Sequence, residues 1–422
     1  VTHDTTQPAR RLLVLGVVAH APDADSEIAA YYAELERLAD SAGARVVERR
    51  VQVRARTDPR TYAGPGFVDA IVRRVAEPGE GEEPIDGVLL AEEVPPRALA
   101  NLAERLPVPV EDRTQLILGI FADRARSTEG RLQVELARLA YALPRLAGAR
   151  QGLGRQRGGV GLRGGVGETA LELDRRRTRR RIAELRREVE TLRADRSSRR
   201  DARGTTSRVA LVGYTNAGKT TLLGALAGRE EGGRDRLFDT LDPATRRIRH
   251  RSYGEAVLVD TVGFVRDLPP GLLEAFEATL AEVREADALV HVVDATAPDA
   301  LSQVDAVHTI LARIGADTVP EILVASHARC PGARLGALDG ALGVDVPAGV
   351  GIEALHERIG AVLGRERETV VVDLPADRWD VVSFARERGE VELVPTEDGG
   401  VRMTARLAAE DAGRLRHRLG RG

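Results

Sequence analysis

The residues best suited to do chemistry lie between positions 213 and 263. Gly213-Tyr-Thr-Asn-Ala-Gly-Lys-Thr220 fits the pattern G-x-x-x-x-G-K-[ST]. An apolar strand, Arg208-Val-Ala-Leu-Val212, precedes it, and a helix is expected to begin near Thr221. In such a loop the backbone N–H groups of Gly213, Tyr214, Thr215, Asn216, Ala217 and Gly218 can wrap a chain of phosphates. The helix that follows, with Thr221 in its first turn, favours the same negative charge. Lys219 is expected to bridge the β- and γ-phosphates, and Thr220 to offer its hydroxyl to Mg²⁺. Lysine occurs once in the chain, at Lys219; the other 61 of the 62 basic residues are arginine. A compact ammonium stands at the one place where a planar guanidinium would not serve.

A phosphoryl-transfer site also needs an acid at a second strand end, followed by a glycine able to meet the γ-phosphate. Val257-Leu-Val-Asp260 leads into Thr261-Val262-Gly263, so Asp260 is expected to act on Mg²⁺ through water and the Gly263 N–H to sense the γ-phosphate. Between the two motifs lies Phe238-Asp-Thr-Leu-Asp242. Its Thr240 can complete the Mg²⁺ shell when a switch loop closes, with Phe238 beside it. Lys219, Thr240 and Gly263 are the catalytic candidates; Thr220, Thr240 and Asp260 are the metal candidates.

Two elements depart from the usual guanine-nucleotide pattern. Guanine is normally read by Asn-Lys-x-Asp at a strand end, the carboxylate accepting from N1–H and the exocyclic amine. Here the strand Glu321-Ile-Leu-Val-Ala325 is followed by Ser326, His327, Ala328 and Arg329. A guanidinium only donates, so Arg329 would face guanine's donors with donors of its own. The later loop that usually reads Ser-Ala-Lys is Asp345-Val-Pro347, ahead of Gly349-Val-Gly351. At the γ-phosphate side, Phe264 stands where Ras-like enzymes carry the glutamine that orients water. Asn216 occupies a position that in some related GTPases helps hold K⁺; stabilising the loop by local hydrogen bonds is an equally open role.

These residues need elements to hold them. At 422 residues and 43% apolar content, the chain has material for several packed domains. The expected architecture is α/β: a P-loop NTPase domain of the TRAFAC GTPase type over 204–366, an N-terminal α/β domain over 1–112, a helical hairpin over 113–203 and a small α/β domain over 367–422. In the first of these by position, strands at 11–18, 45–53, 87–90 and 108–111 alternate with helices at 26–38, 67–76 and 97–106, which implies a mostly parallel sheet. Ser26 is a candidate N-cap. Leu132, Leu136, Leu139, Leu143 and Leu146, then Ile182, Leu185, Val189 and Leu192, recur at helical spacings on either side of the glycine-rich stretch 147–168. Pro144 should kink or end the first of these helices. The tail reads strand 369–374, helix 377–388, strands 391–394 and 401–406, and helix 410–419.

Charge is concentrated in the hairpin. The whole chain carries −3, but Arg145 to Arg208 holds 19 arginines against eight acidic residues, a local excess of +11. The stretch 151–167 offers Arg155, Arg157 and Arg163 among eight glycines with no acid. Flexible backbone carrying bare guanidinium groups suits RNA phosphates and unstacked bases. The run Arg175–Arg181 can equally be a solvated helix face. With one cysteine, Cys330, no internal disulfide is possible. No apolar run reaches membrane-spanning length, and the opening residues lack the pattern of a secretory leader, so a cytoplasmic protein is expected; a monomer is the expected state.

The motifs together resemble the HflX family of translational GTPases. The shared phrases are 213–220, Leu237-Phe-Asp-Thr-Leu-Asp-Pro-Ala-Thr-Arg246 and Asp260-Thr-Val-Gly-Phe-Val-Arg-Asp-Leu-Pro269. Outside them, Asp112-Arg-Thr, Ile120-Phe-Ala-Asp-Arg-Ala-Arg, Glu129-Gly-Arg-Leu-Gln-Val-Glu-Leu and Gly158-Gly-Val-Gly through Glu172-Leu-Asp-Arg-Arg-Arg look like the family's N-terminal region. The resemblance implies a GTP- and Mg²⁺-dependent hydrolase that binds the large ribosomal subunit and splits stalled or stressed ribosomes. It also implies a hairpin loop that reaches toward the peptidyl-transferase centre. The family carries an apolar residue at the Phe264 position, in keeping with slow hydrolysis stimulated by a partner. Two other readings stay open: a catalytically weak paralogue acting as a ribosomal-RNA-binding module, and an ATP-using variant.

Overall fold

The computed structural model describes residues 9–19, 25–146, 170–201, 206–228, 238, 244–266, 268, 272, 277–363, 367–375, 377–396 and 399–419. The chain divides into two compact units. One comprises residues 1–197, 236–241 and 267–278; the other comprises 198–235, 242–266 and 279–422. Among the described residues no helix is long and apolar enough to cross a membrane.

In the first unit, β1 (Arg10–Val18), β2 (Ala44–Val53), β3 (Gly87–Leu90) and β4 (Val110–Asp112) form a sheet of order β2-β1-β3-β4, parallel throughout. Helices α1 (Asp25–Ser41), α2 (Pro65–Ala76) and α3 (Pro96–Arg105) supply the crossovers. The two inner strands are apolar runs because both faces are covered: Leu12, Leu13, Val14 and Leu15, like Val88, Leu89 and Leu90, are 0–1% exposed. Ser26 lies inside α1, which already includes Asp25, so it does not cap that helix.

Among the described residues, the segment 113–203, expected as a two-helix hairpin, shows three helices. The additional one, α4 (Arg113–Arg124), starts at a capping box: the Asp112 carboxylate accepts from Gln115 N at 3.0 Å, and Gln115 Oε1 accepts from Asp112 N at 3.1 Å. Leu116, Ile117, Leu118, Ile120 and Phe121 are all buried. A helix apolar on most sides shows no stripe, which is why periodicity did not mark it. Helix α5 (Thr128–Arg145) is capped by Ser127, and Pro144 falls in its last turn, where the helix stops. It packs on α6 (Ala170–Asp201) through the expected seam, with Leu136, Ile182 and Leu185 buried and Leu132, Leu139 and Leu143 packed beside them. Arg181 clamps Glu135 across the seam at 2.8 and 3.2 Å.

In the second unit, a six-stranded sheet has the order β10-β9-β8-β5-β7-β6. Its strands are β5 (Ser207–Gly213), β6 (Ala244–His250), β7 (Gly254–Asp260), β8 (Ala288–Asp294), β9 (Glu321–Ser326) and β10 (Leu342–Gly343). Only β6 runs antiparallel to its neighbour. Helices α7 (Lys219–Leu226), α8 (Glu277–Arg284), α9 (Ala300–Ile314) and α10 (Ile352–Val362) connect them. The tail adds β11 (Arg367–Leu374), α11 (Trp379–Arg386), β12 (Gly389–Pro395), β13 (Val401–Ala408) and α12 (Ala409–Leu419), with an antiparallel sheet of order β11-β13-β12. The core of this appendix is built on Met403, Leu407, Val381 and Leu415, each fully buried. The central strand β5 ends at the chain's phosphate motif, and ligands in open parallel sheets sit at such carboxyl ends.

Candidate phosphate-binding and base-reading site

The loop after β5 is shaped by the approach of its neighbours. Gly213 has φ +141°, and a Cβ there would come within 2.2 Å of the Val292 carbonyl oxygen on β8, so only glycine fits. Helix α7 begins at Lys219, two residues earlier than expected, because Gly218 already serves as its N-cap. The segment after β7 is stitched to this loop. Phe264 N donates to Gly213 O at 3.1 Å, Thr215 N donates to Phe264 O at 2.8 Å, and Arg266 N donates to the Tyr214 hydroxyl at 2.7 Å. Thr261 Oγ1 donates to Leu211 O at 2.6 Å, fixing the start of that segment to β5. Residues 50 positions apart thereby become one platform.

Lys219, Thr220, Asp260 and Gly263 come together on it. Thr220 Oγ1 donates to Asp260 Oδ2 at 2.9 Å, and Asp260 is 0% exposed. A hydroxyl and a carboxylate so joined offer the hard oxygen donors that suit Mg²⁺. The Lys219 ammonium does not face solvent. It is buried and donates to Gly213 O at 2.9 Å and Tyr214 O at 2.6 Å. The loop carbonyls take the place of water. Burial lowers its pKa to about 8, against the opposing attraction of Asp260. A Cβ on Gly263 would lie 2.7 Å from Thr215 Cγ2 and 3.1 Å from Lys219 Nζ, so glycine is the residue that fits beside the ammonium. Phe264 is 1% exposed, and its side chain belongs to the core. It offers no group to orient water.

The residues expected from the sequence at the base side are also brought together. Strand β9 includes Ser326, one residue beyond the expected end, and Ser326 Oγ donates to Ala217 O at 2.8 Å, fastening the strand end to the phosphate loop. His327 has φ +54° and its Nδ1 lies 3.2 Å from Asp294 Oδ1 at the end of β8. The exposed Arg329 meets the later loop through its backbone: Arg329 N donates to Asp345 Oδ2 at 3.3 Å, while Ala348 N donates to Asp345 Oδ1 at 3.1 Å. Ala328 N donates to Val344 O at 3.2 Å. The register deduced from the sequence therefore places 326–329 and 345–349 side by side.

Four family models match successive parts of the chain: "GTP-binding GTPase N-terminal" over 29–122, "GTP-binding GTPase Middle Region" over 124–203, "50S ribosome-binding GTPase" over 208–327 and "HflX C-terminal domain" over 333–422. A protein named GTPase HflX from Caldanaerobacter subterraneus subsp. tengcongensis is 39% identical over 386 residues, covering 91% of this chain and 89% of its own. The chain belongs to the HflX family. GTPase HflX of Alkalihalophilus pseudofirmus is 43% identical over 306 residues, 72% of this chain and 71% of its own. That of Escherichia coli is 42% identical over 293 residues, 69% and 67% respectively. The chain is thus a nucleoside-triphosphate hydrolase of a ribosome-binding GTPase family, on the α/β P-loop fold its motifs implied.

Within this HflX-family chain some expected site residues stand elsewhere or outside the described residues. Phe238 groups with the first unit, where its ring meets Phe121 edge-on at 4.5 Å and is 2% exposed. Its apolar ring is buried there. Thr240 lies outside the described residues, as do Arg155, Arg157 and Arg163. In the run Arg175–Arg181, Arg176, Arg177, Arg179 and Arg180 are exposed. Sequence reasoning missed the role of the Tyr214 hydroxyl, which holds the chain after Gly263; a lone polar tip within a loop motif gives no signal until its partner is known.

Proposed function

We propose that this HflX-family hydrolase binds the large ribosomal subunit and separates or rescues stalled ribosomes, using GTP with weakened selectivity for its base. The observation that carries the reading is the convergence of Lys219, Thr220, Asp260 and Gly263 in a chain whose 145–208 stretch holds an arginine excess of +11. In this reading the segments 1–112, 113–203, 204–366 and 367–422 are its working parts, acting as a monomer. Lys219 supplies the countercharge to the β- and γ-phosphates after leaving the two loop carbonyls. Thr220, Thr240 and Asp260 hold Mg²⁺, which neutralises phosphate charge when bound. With Phe264 buried, orientation of water falls to the ribosome. Incubating the protein and GTP with intact ribosomes and resolving the products on sucrose gradients tests the proposal. Subunits are expected with GTP and not with GDP, whereas undissociated ribosomes under both conditions would remove the splitting role.

The arginine loop carries the RNA contact in this reading. Replacing Arg155, Arg157 and Arg163 with alanine is expected to weaken co-sedimentation with large subunits. Each guanidinium–phosphate pairing so removed should lower the log–log salt slope by roughly 0.7–0.9. Equal binding and equal slopes in parent and variant would return the loop to a solvated role. Asn216, held at φ +64° within the phosphate loop, carries the K⁺ expectation. Ribosome-stimulated hydrolysis is expected to run faster in potassium than in sodium at matched ionic strength, and equal rates would leave Asn216 with its role in shaping the loop.

A further inference from the structure

Strand β8 reads Ala288-Leu-Val-His-Val-Val-Asp294, a buried apolar run with one imidazole at its centre. His291 is 0% exposed, and its Nε2 has no hydrogen-bond partner among the described residues. A position flanked by valines would be filled at lower cost by another aliphatic side chain, since a buried polar atom without a partner is costly. The other ring nitrogen points to two further donors. His291 Nδ1 lies 2.6 Å from Glu321 Oε1 at the start of β9, and His308 Nε2 on α9 lies 3.1 and 3.0 Å from the two Glu321 oxygens. The imidazole rings meet edge-on with centroids 5.5 Å apart. One donor atom from each of the three residues falls within 4.8 Å of the others.

We propose that His291, His308 and Glu321 form a binding site for a divalent transition-metal ion, Zn²⁺ in the first instance, that ties β8, α9 and β9 together. Two imidazoles and one carboxylate are a zinc donor set, and a three-ligand site leaves a fourth position for water. Tetrahedral ligand atoms about 2.0–2.2 Å from a zinc ion stand roughly 3.3–3.6 Å apart, so side chains within 4.8 Å of one another must draw in by up to about 1.5 Å to close on an ion. The fourth position has access to solvent, because His308 is 48% and Glu321 26% exposed at the side chain. Neutral imidazole favours Zn²⁺, Ni²⁺ or Cu²⁺ over Mg²⁺, which separates this site from the oxygen donors at Thr220 and Asp260. Both β8 and β9 run directly into the base-side residues Asp294 and Ser326–His327, so an ion here braces the frame on which that pocket is built.

Chelator-stripped, nucleotide-free full-length protein titrated with Zn²⁺ by calorimetry, and with Co²⁺ by visible absorption, tests the site. One ion per chain is expected, with the ligand-field bands of a Co²⁺ site carrying nitrogen donors, and Zn²⁺ should raise the thermal midpoint. His308→Ala alters an exposed side chain and Glu321→Gln keeps the shape of a partly buried one, so both should leave the fold intact. Each is expected to weaken Zn²⁺ binding by about a hundredfold or more and to abolish the thermal shift, since even changes to residues supporting the ligands cost about 10–100-fold. No stoichiometric ion in the parent chain, or undiminished affinity in the His308→Ala chain, would overturn the proposal and leave the three residues as a hydrogen-bonded cluster.

Discussion

Replacing Lys219 with alanine is expected to lower triphosphate hydrolysis by roughly 10²–10³-fold, the scale on which loss of one preorganised electrostatic group is felt. The variant should fold. Burying a charged ammonium is a cost that is absent above the ordinary lysine pKa of 10.5, where the group is neutral folded or unfolded, and fully present below about pH 8. At neutral pH alanine removes that cost along with two hydrogen bonds to loop carbonyls. The same depressed pKa makes nucleotide affinity depend on pH. Bound phosphate stabilises the ammonium, so the complex holds its proton to higher pH than the free protein does. Affinity should be flat below about pH 8 and then fall by up to about tenfold per pH unit as the free amine loses its proton. Titrating a fluorescent triphosphate against parent and Lys219→Ala chains between pH 6.5 and 9.5, figures chosen to span roughly that transition, checks both statements. Unchanged affinity in the variant would remove Lys219 from the site. A pH dependence that persists without the lysine would assign the titration to another group.

The base-side geometry leads to an equally large expected effect. A pocket built on a carboxylate that accepts two hydrogen bonds discriminates against an analogue lacking those donors by roughly 10⁴–10⁵. In the proposed reading the corresponding position is Arg329, whose guanidinium can donate to guanine O6 or N7 and to adenine N1 or N7, and accepts from neither. The nearby carboxylate of Asp345 is engaged by the backbone N–H groups of Arg329 and Ala348. GTP and ATP affinities are therefore expected to differ by less than about a hundredfold. Ser326→Asn, His327→Lys and Arg329→Asp together should restore a strong preference for GTP. Competition binding with both nucleotides on the parent and the triple variant decides it. A parent preference of several thousandfold would mean that another group reads the base, with Asp345 the first to replace. Comparable affinities accompanied by negligible hydrolysis would favour the catalytically weak, RNA-binding reading.

Much of this protein was legible without coordinates because its information is local. A strand, a glycine-rich turn and a helix start within fourteen residues specify a phosphate loop, since the backbone conformation of each depends on near neighbours. The Leu132–Leu143 and Ile182–Leu185 stripes likewise determined the helical seam through their spacing alone. Helix α4 escaped because burial on most sides erased its period. Other features belong to the tertiary structure. The Thr220–Asp260 bond spans 40 residues and the Ser326–Ala217 bond spans 109, so neither partner predicts the other until parallel strands bring their carboxyl ends together. Phe238 read as part of a switch segment from its neighbours in sequence, and only the fold reveals that its ring is buried beside Phe121. Lys219 read as a phosphate ligand, and its depressed pKa exists only because the fold buries the ammonium, which outweighs the opposing attraction of Asp260. Residue type and spacing determined which groups could do the chemistry; desolvation and long-range packing decided their protonation and their partners, because both depend on neighbours that the chain supplies only after folding.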